Sequence, residues 1–341
     1  MSQGTRSGGG LVHQACLYGS DDDFLGMALP FVSRGLAIGE PVLVAATAKN
    51  VQMVQNALGG RADQVDFADT EQFDRGGEER IAGVYDYVMR QRDAAPEEGR
   101  IRIISEPVWL GRPAHKTAQS IRIESLANVL YTDVNVWLIC GFDTRTAPAN
   151  VLVAARQTHP ELVAGERVTT SVDYVDPYQF VRAQDAQPVP EPPSEAPSFS
   201  FTTDLGALRR FVTDHTVSQG LTDYHAEMAV MAVYETASWM RQPSPTPAPA
   251  GQDQPGLREP AALRWAAAAA RHQTKPMTVR IWAQSGAPVI DLEQTGAELS
   301  NPLAGYLPPS LDPAPDNGLW LARMISARLD VRHKEHGSSV R

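Results

Sequence analysis

The chain has 341 residues, 43% hydrophobic and 21% charged, which is enough for two domains with their own cores and ordinary for a globular protein. A net charge of −10 and a pI near 5.3 disfavour direct contact with nucleic acid or an anionic membrane, since both need a positive field. No run of about eighteen apolar residues spans a membrane, and two cysteines, Cys16 and Cys140, are too few for a disulfide framework and fit a reducing cytoplasm.

Residues 1–10 read as a polar, Gly-rich tail without the apolar stretch of a secretory signal. Residues 11–183 alternate helical and strand patterns. Asp21 to Gly35 opens on acidic residues and ends on glycine, the punctuation of a helix, with Pro30 predicting a kink or a freed carbonyl. Pro41 to Ala46, Ile101 to Ser105 and Val134 to Cys140 are continuous apolar runs of the kind buried on both faces of a parallel sheet. Helices are predicted over 49–58, 71–92 and 118–131. The alternation predicts a three-layer α/β domain with a mainly parallel sheet. Nucleotide binding is the common task of such sheets, yet neither GxxxxGK[ST] nor GxGxxG follows any predicted strand.

His13 and Cys16, three apart in HQACLY, have the chemistry of two metal ligands. A zinc site needs two more, no second pair appears, and His115 and His159 stand isolated in the sequence. The reading without a metal is a first β-strand whose cysteine packs in the core.

Residues 184–200, with prolines at 188, 190, 192 and 193, read as an extended linker. Beyond it, Asp204 caps one helix and a second runs from Thr222 to Arg241. Strands at 277–282 and 289–292 flank a turn at Gly286, and a Pro-rich loop, a helix and a strand follow. Residues 243–260 read as a disordered insertion, and the Ala-rich 261–272 as an extra helix. This order predicts an α/β sandwich over 201–336.

Two resemblances follow from these residues. HQACLY, FVSRGLAIGEPVLVAAT, RIESLANVLY, WLICGFDTR, THPELV and YVDPYQF together resemble the MEDS sensory domain across nearly all of 11–183. The resemblance implies a sensor of small organic molecules, with His13, Cys16 and Tyr18 as candidate sensing residues. EMAVMAVYETASWMRQ, NPLAGYLPP and GLWLARMI resemble the GHKL ATPases of the anti-sigma-factor branch, the RsbW-like serine kinases, and so imply an ATP/Mg²⁺ site. Glu235 keeps the position of that family's base, whereas Trp239 replaces its metal-binding Asn and Gln294 its adenine-reading Asp. Gly296 remains, Ala297 stands where a second glycine is common, and Asp316-Asn317-Gly318 replaces the phosphate turn. Each lost charged hydrogen bond costs roughly 1.5–3 kcal/mol, so the combined changes should push nucleotide binding to the millimolar range or weaker. Phosphoryl transfer, which is almost all positioning and electrostatics, should suffer more.

The expectation is a cytoplasmic signalling regulator that binds a sigma factor or an anti-anti-sigma (STAS) protein without a resident cofactor or metal. One alternative is an ATP-dependent serine kinase of an anti-anti-sigma factor. Another is a small-molecule sensor whose GHKL domain serves only to form a homodimer.

Overall fold

A computed structural model describes residues 10–73, 78–92, 99–186, 190–241, 275–296, 304–306, 317–334 and 337–341. The predicted insertion at 243–260, the helix at 261–272, Ala297 and Asp316 lie outside the described residues. The chain divides after Arg182 into two units.

In the first unit the apolar runs become the inner strands of a seven-stranded sheet. Its strands are β1 (Val12–Tyr18), β2 (Val42–Ala46), β3 (Asp66–Asp69), β4 (Ile101–Ser105), β5 (Val136–Asp143), β6 (Glu161–Ala164) and β7 (Arg167–Thr170). Their order is β3-β2-β4-β5-β1-β6-β7, parallel throughout except for β7, which returns from β6 as a hairpin. Every residue of β2 and β4 is buried, as continuous apolar runs require when helices cover both faces.

Strand alternation sorts the core into two halves. On one face α1 (Asp21–Ala37) and α2 (Ala48–Leu58) meet Cys16, Tyr18, Val42, Val44 and Ile104. On the other, α4 (Glu78–Gln91), α5 (Ala114–Leu130), α6 (Ala149–Thr158) and α7 (Pro177–Asp185) meet Ala15, Leu43, Ile103, Leu138 and Cys140. Ser20 and Thr47 cap α1 and α2 by accepting the Asp23 and Asn50 amides. Helix α1 runs through Pro30. Where a single helix was expected over 71–92, the described residues form a one-turn α3 (Thr70–Phe73) and α4. The short polar β3 ahead of them was not foreseen.

The second unit contains β8 (Ser198–Phe201), α8 (Leu205–Ser218), α9 (Asp223–Met240), β9 (Met277–Gln284), β10 (Ala287–Thr295), α10 (Asn317–Ile325), β11 (Val331–Lys334) and β12 (Gly337–Val340). Its sheet is antiparallel, ordered β11-β12-β10-β9-β8. Asp204 caps α8 as expected, and Thr222, expected as the first residue of the second helix, caps α9. Leu208, Val212, Val230, Val233, Ala237, Leu319 and Ala322 from the helices pack on Met277, Val279, Ile281 and Leu292 of the sheet, so this unit is an α/β sandwich. The β9–β10 hairpin turns through Ser285 and Gly286, both at positive φ, the geometry of a tight primed turn. Two boundaries differ from the sequence reading. The end of the expected linker, Ser198–Ser200, is an edge strand paired with β9, and Gly337–Val340 extends the sheet past residue 336. Both are short: Ser198–Phe201 alternates Ser and Phe and turns Phe201 into the core, whereas Gly337–Val340 carries little apolar pattern and pairs with β10 and β11. Among the described residues no helix is long and apolar enough to cross a membrane.

Candidate functional site

In an open parallel sheet, ligands gather at the carboxyl ends of the strands where the strand order reverses. Here the helices that follow β1 and β5 lie on opposite faces of the sheet, as do those that follow β2 and β4, so crevices open at the carboxyl ends between both pairs of neighbours. Tyr18 ends β1, Glu106 directly follows β4, and Asp143 ends β5. The Tyr18 hydroxyl donates to Glu106 Oε1. Asn50 Nδ2 donates to both Glu106 oxygens at 2.9 Å, and the Thr47 amide to Oε2 at 3.0 Å. Burial, then the Glu106 charge, pushes the Tyr18 phenol well above its usual range, so it remains a donor.

Charged residues form the rim. Arg145 bonds Asp143 at 2.8 Å and Asp21 at 3.0 Å, and its guanidinium lies 5.8 Å from the Tyr18 ring. Lys49 holds Asp21 at 2.6 Å, and the bonds from Lys49 and Arg145 keep the Asp21 carboxyl below its usual range. The amino end of α1, where a phosphate would sit in a nucleotide-binding sheet, is instead furnished with carboxylates. Asp23 accepts the Gly19 amide at 3.1 Å. This agrees with the lack of a phosphate-loop motif.

A second group lies deeper, on the α5–α6 face. His13 of β1, Glu124 of α5, Cys140 of β5 and His159, just after α6, bring their ligand-type atoms within 4.8 Å of one another, all buried. Cys140 Sγ is 3.5 Å from His13 Nε2, and His159 Nε2 is 3.6 Å from Glu124 Oε2. Glu124 Oε1 accepts from Arg80 at 2.6 Å. Burial lowers the pKa of both histidines and raises the Cys140 thiol, so these three side chains are uncharged.

The sequence-predicted residues therefore separate. His13 and Cys16 do not share a site. Three positions apart on a strand they point to opposite faces, and Cys16 packs with Phe24, Met27 and Val44. Tyr18 shares the Cys16 face and closes the site at the strand ends. His159, isolated in sequence, is His13's neighbour, with ring centroids 4.0 Å apart. Glu106, Asn50, Glu124 and Arg145 were not singled out. The one local signal was a glutamate directly after the buried run IRIIS.

In the second unit α9 and α10 bring Glu235 onto Gly318, whose missing side chain leaves the space that the carboxylate occupies. Trp239 is buried in the core of the sandwich. Gln294 on β10 is fully buried, and among the described residues neither amide atom has a hydrogen-bond partner. Gly296 has φ +69°, and its carbonyl accepts from Lys275 at 2.8 Å.

No curated protein and no solved structure matches the chain. Residues 12–160, all within the first unit, match the MEDS family model, described as the MEthanogen/methylotroph, DcmR Sensory domain, and this match suggests a sensory, signalling role for the protein.

Proposed function

We propose that the protein is an anti-sigma-type regulator in which the first unit perceives a small organic molecule at the carboxyl ends of its sheet. The second unit is a degenerate GHKL domain that binds a sigma factor or an anti-anti-sigma protein without phosphorylating it. The supporting observation for the output half is Glu235 seated against Gly318 at the start of α10. In the nucleotide-binding branch that the sequence resembles, this helix start would receive phosphates. A carboxylate packed there repels them at short range. Trp239, where a magnesium ligand would stand, is committed to the core, and a buried indole supplies no metal-binding lone pair.

Titration calorimetry of the full chain with ATP and Mg²⁺ tests the reading, followed by calorimetry with purified sigma factor and STAS protein. The expected result is no nucleotide binding below millimolar concentration and saturable binding of one protein partner. Micromolar, Mg²⁺-dependent ATP binding with phosphate transfer to a STAS serine would overturn it.

A further inference from the structure

We infer that His13, Glu124, Cys140 and His159 form a tetrahedral site for a zinc-class divalent metal ion inside the first unit. Proximity alone would not carry this, since buried polar groups often satisfy one another. The hydrogen bonds behind the four side chains carry it. Asn128 Nδ2 donates to the Ser125 and Thr158 carbonyls at 3.1 and 2.8 Å, which leaves its Oδ1 as the acceptor facing His13 Nδ1 at 3.0 Å. His13 therefore carries its proton on Nδ1 and turns a bare Nε2 towards Cys140. His159 Nδ1 lies 2.8 Å from the Ala155 carbonyl, which can only accept, so its Nε2 is bare as well. That Nε2 is buried and, among the described residues, without any hydrogen-bond partner.

Two imidazole lone pairs thus converge on a thiol and on one carboxylate oxygen, with each ring oriented by an acceptor behind it. Metal-binding histidines are held in this way, their second nitrogen donating to a carbonyl or carboxylate. Glu124 follows the same pattern, with Oε1 fixed by Arg80 and Oε2 turned to the cluster. Bonds of roughly 2.0–2.3 Å to a tetrahedral ion place ligand atoms about 3.3–3.8 Å apart. The Cys140–His13 and His159–Glu124 separations of 3.5 and 3.6 Å meet this, and the remaining pairs close from at most 4.8 Å.

Two nitrogens, one sulfur and one oxygen suit a borderline-soft ion rather than magnesium or calcium, which select oxygen. Four protein ligands leave no open position, the arrangement of a structural rather than a catalytic ion. On binding, the Cys140 S–H bond breaks, a sulfur–metal bond forms, and one proton leaves to solvent for each ion taken up. The bound ion would tie β1, β5, α5 and the end of α6 together.

The test uses the full chain, stripped with chelator and titrated with Zn²⁺ and then Co²⁺. One ion per chain, the intense visible bands of tetrahedral cobalt and a thiolate-to-cobalt charge-transfer band are expected. Cys140→Ser should abolish the charge-transfer band and His159→Gln should lower the stoichiometry from one to none. Cys16→Ser, altered on the opposite face, should keep both. Circular dichroism reports whether each variant is folded, and the cobalt spectrum of the unaltered chain needs no variant. A chain that stays metal-free in excess zinc overturns the assignment. So does a cobalt spectrum without thiolate character, or one that Cys16→Ser removes and Cys140→Ser does not.

Discussion

The two faces of the first sheet each bury one arginine–glutamate pair, and the pairs differ in what the carboxylate has left to offer. On the α1 face, Glu40 Oε1 accepts the Arg100 amide at 2.8 Å and Oε2 takes Arg102. The same guanidinium lies over the Phe31 and Trp137 rings and donates to the Phe31 carbonyl at 3.2 Å. On the α5–α6 face, Glu124 gives one oxygen to Arg80 and turns the other to a histidine nitrogen beyond hydrogen-bond length. Both pairs are about equally buried. What separates a closed structural pair from a candidate ligand set is therefore unsatisfied valence: burial is common to both, but among the described residues the α5–α6 face alone keeps such lone pairs directed at a shared point.

The sharpest way to break the comparison is to remove Glu40. Glu40→Ala leaves the Arg102 charge buried without its carboxylate, and a broken buried pair typically costs about 3–5 kcal/mol. Urea denaturation of the two proteins should show the loss as a lower midpoint with an unchanged slope. A loss below about 1 kcal/mol would mean that the guanidinium reaches water and that the α1 face is less closed than its geometry implies. Zinc binding should persist in this variant, since Glu40 lies on the other face from the four proposed ligands.

This contrast also explains what could be read in the sequence. PVLVAA, IRIIS and VNVWLIC announced inner strands because burial on both faces leaves an uninterrupted apolar run. Asp66–Asp69 and Gly337–Val340 carry no such run, and their strand character comes from the neighbours they pair with; Ser198–Phe201 did carry a signal, a Ser/Phe alternation that turns Phe201 into the core, too short to stand out beside the Pro-rich stretch. The cap at Asp204 is local and was legible. The convergence of His13 with His159 is not local: it depends on a parallel sheet placing β1 between β5 and β6, 146 positions apart in the chain by residue number (159 − 13). One part was local: an odd spacing on a strand puts His13 and Cys16 on opposite faces, and Cys16 packs in the core as the reading without a metal has it.

A middle-sized effect belongs to the strand ends. Tyr18→Phe deletes the hydroxyl that donates to Glu106 while Thr47 and Asn50 remain on that carboxylate, so about 1.5–3 kcal/mol should be lost, the scale of a hydrogen bond to a charged group. The pH profile carries a sign. The Tyr18 phenol is raised in the folded protein, so above the unfolded value of about 10 the unfolded chain releases a proton that the folded chain retains. Its contribution is complete below pH 10 and declines as pH rises further, by about 1.4 kcal/mol per pH unit for one group. Denaturation midpoints measured across this range should fall more steeply for the unaltered protein than for Tyr18→Phe. Equal slopes would place the phenol in contact with solvent.

The smallest effect separates the two cysteines. Both are buried and unpaired, so neither exposure nor redox state tells them apart. Cys16 sits among apolar side chains, where burial pushes its thiol up to about 12, and it acts as a small hydrophobe. Cys16→Ala deletes one sulfur from a packed core and should cost about 1 kcal/mol, near the cost of trimming one methyl group. Cys16→Ser should cost more, because its hydroxyl enters the same apolar space without a partner. Cys140 stands beside two histidines, and a serine there meets hydrogen-bonding groups. In chelator-treated protein the serine penalty relative to alanine should therefore be positive at 16 and small or reversed at 140. Urea unfolding of the four variants measures that difference directly. Equal penalties at both positions would mean that the His13–His159 pair does not present free lone pairs to its neighbour. The polarity that distinguishes the faces would then be confined to the arginine–glutamate pairs.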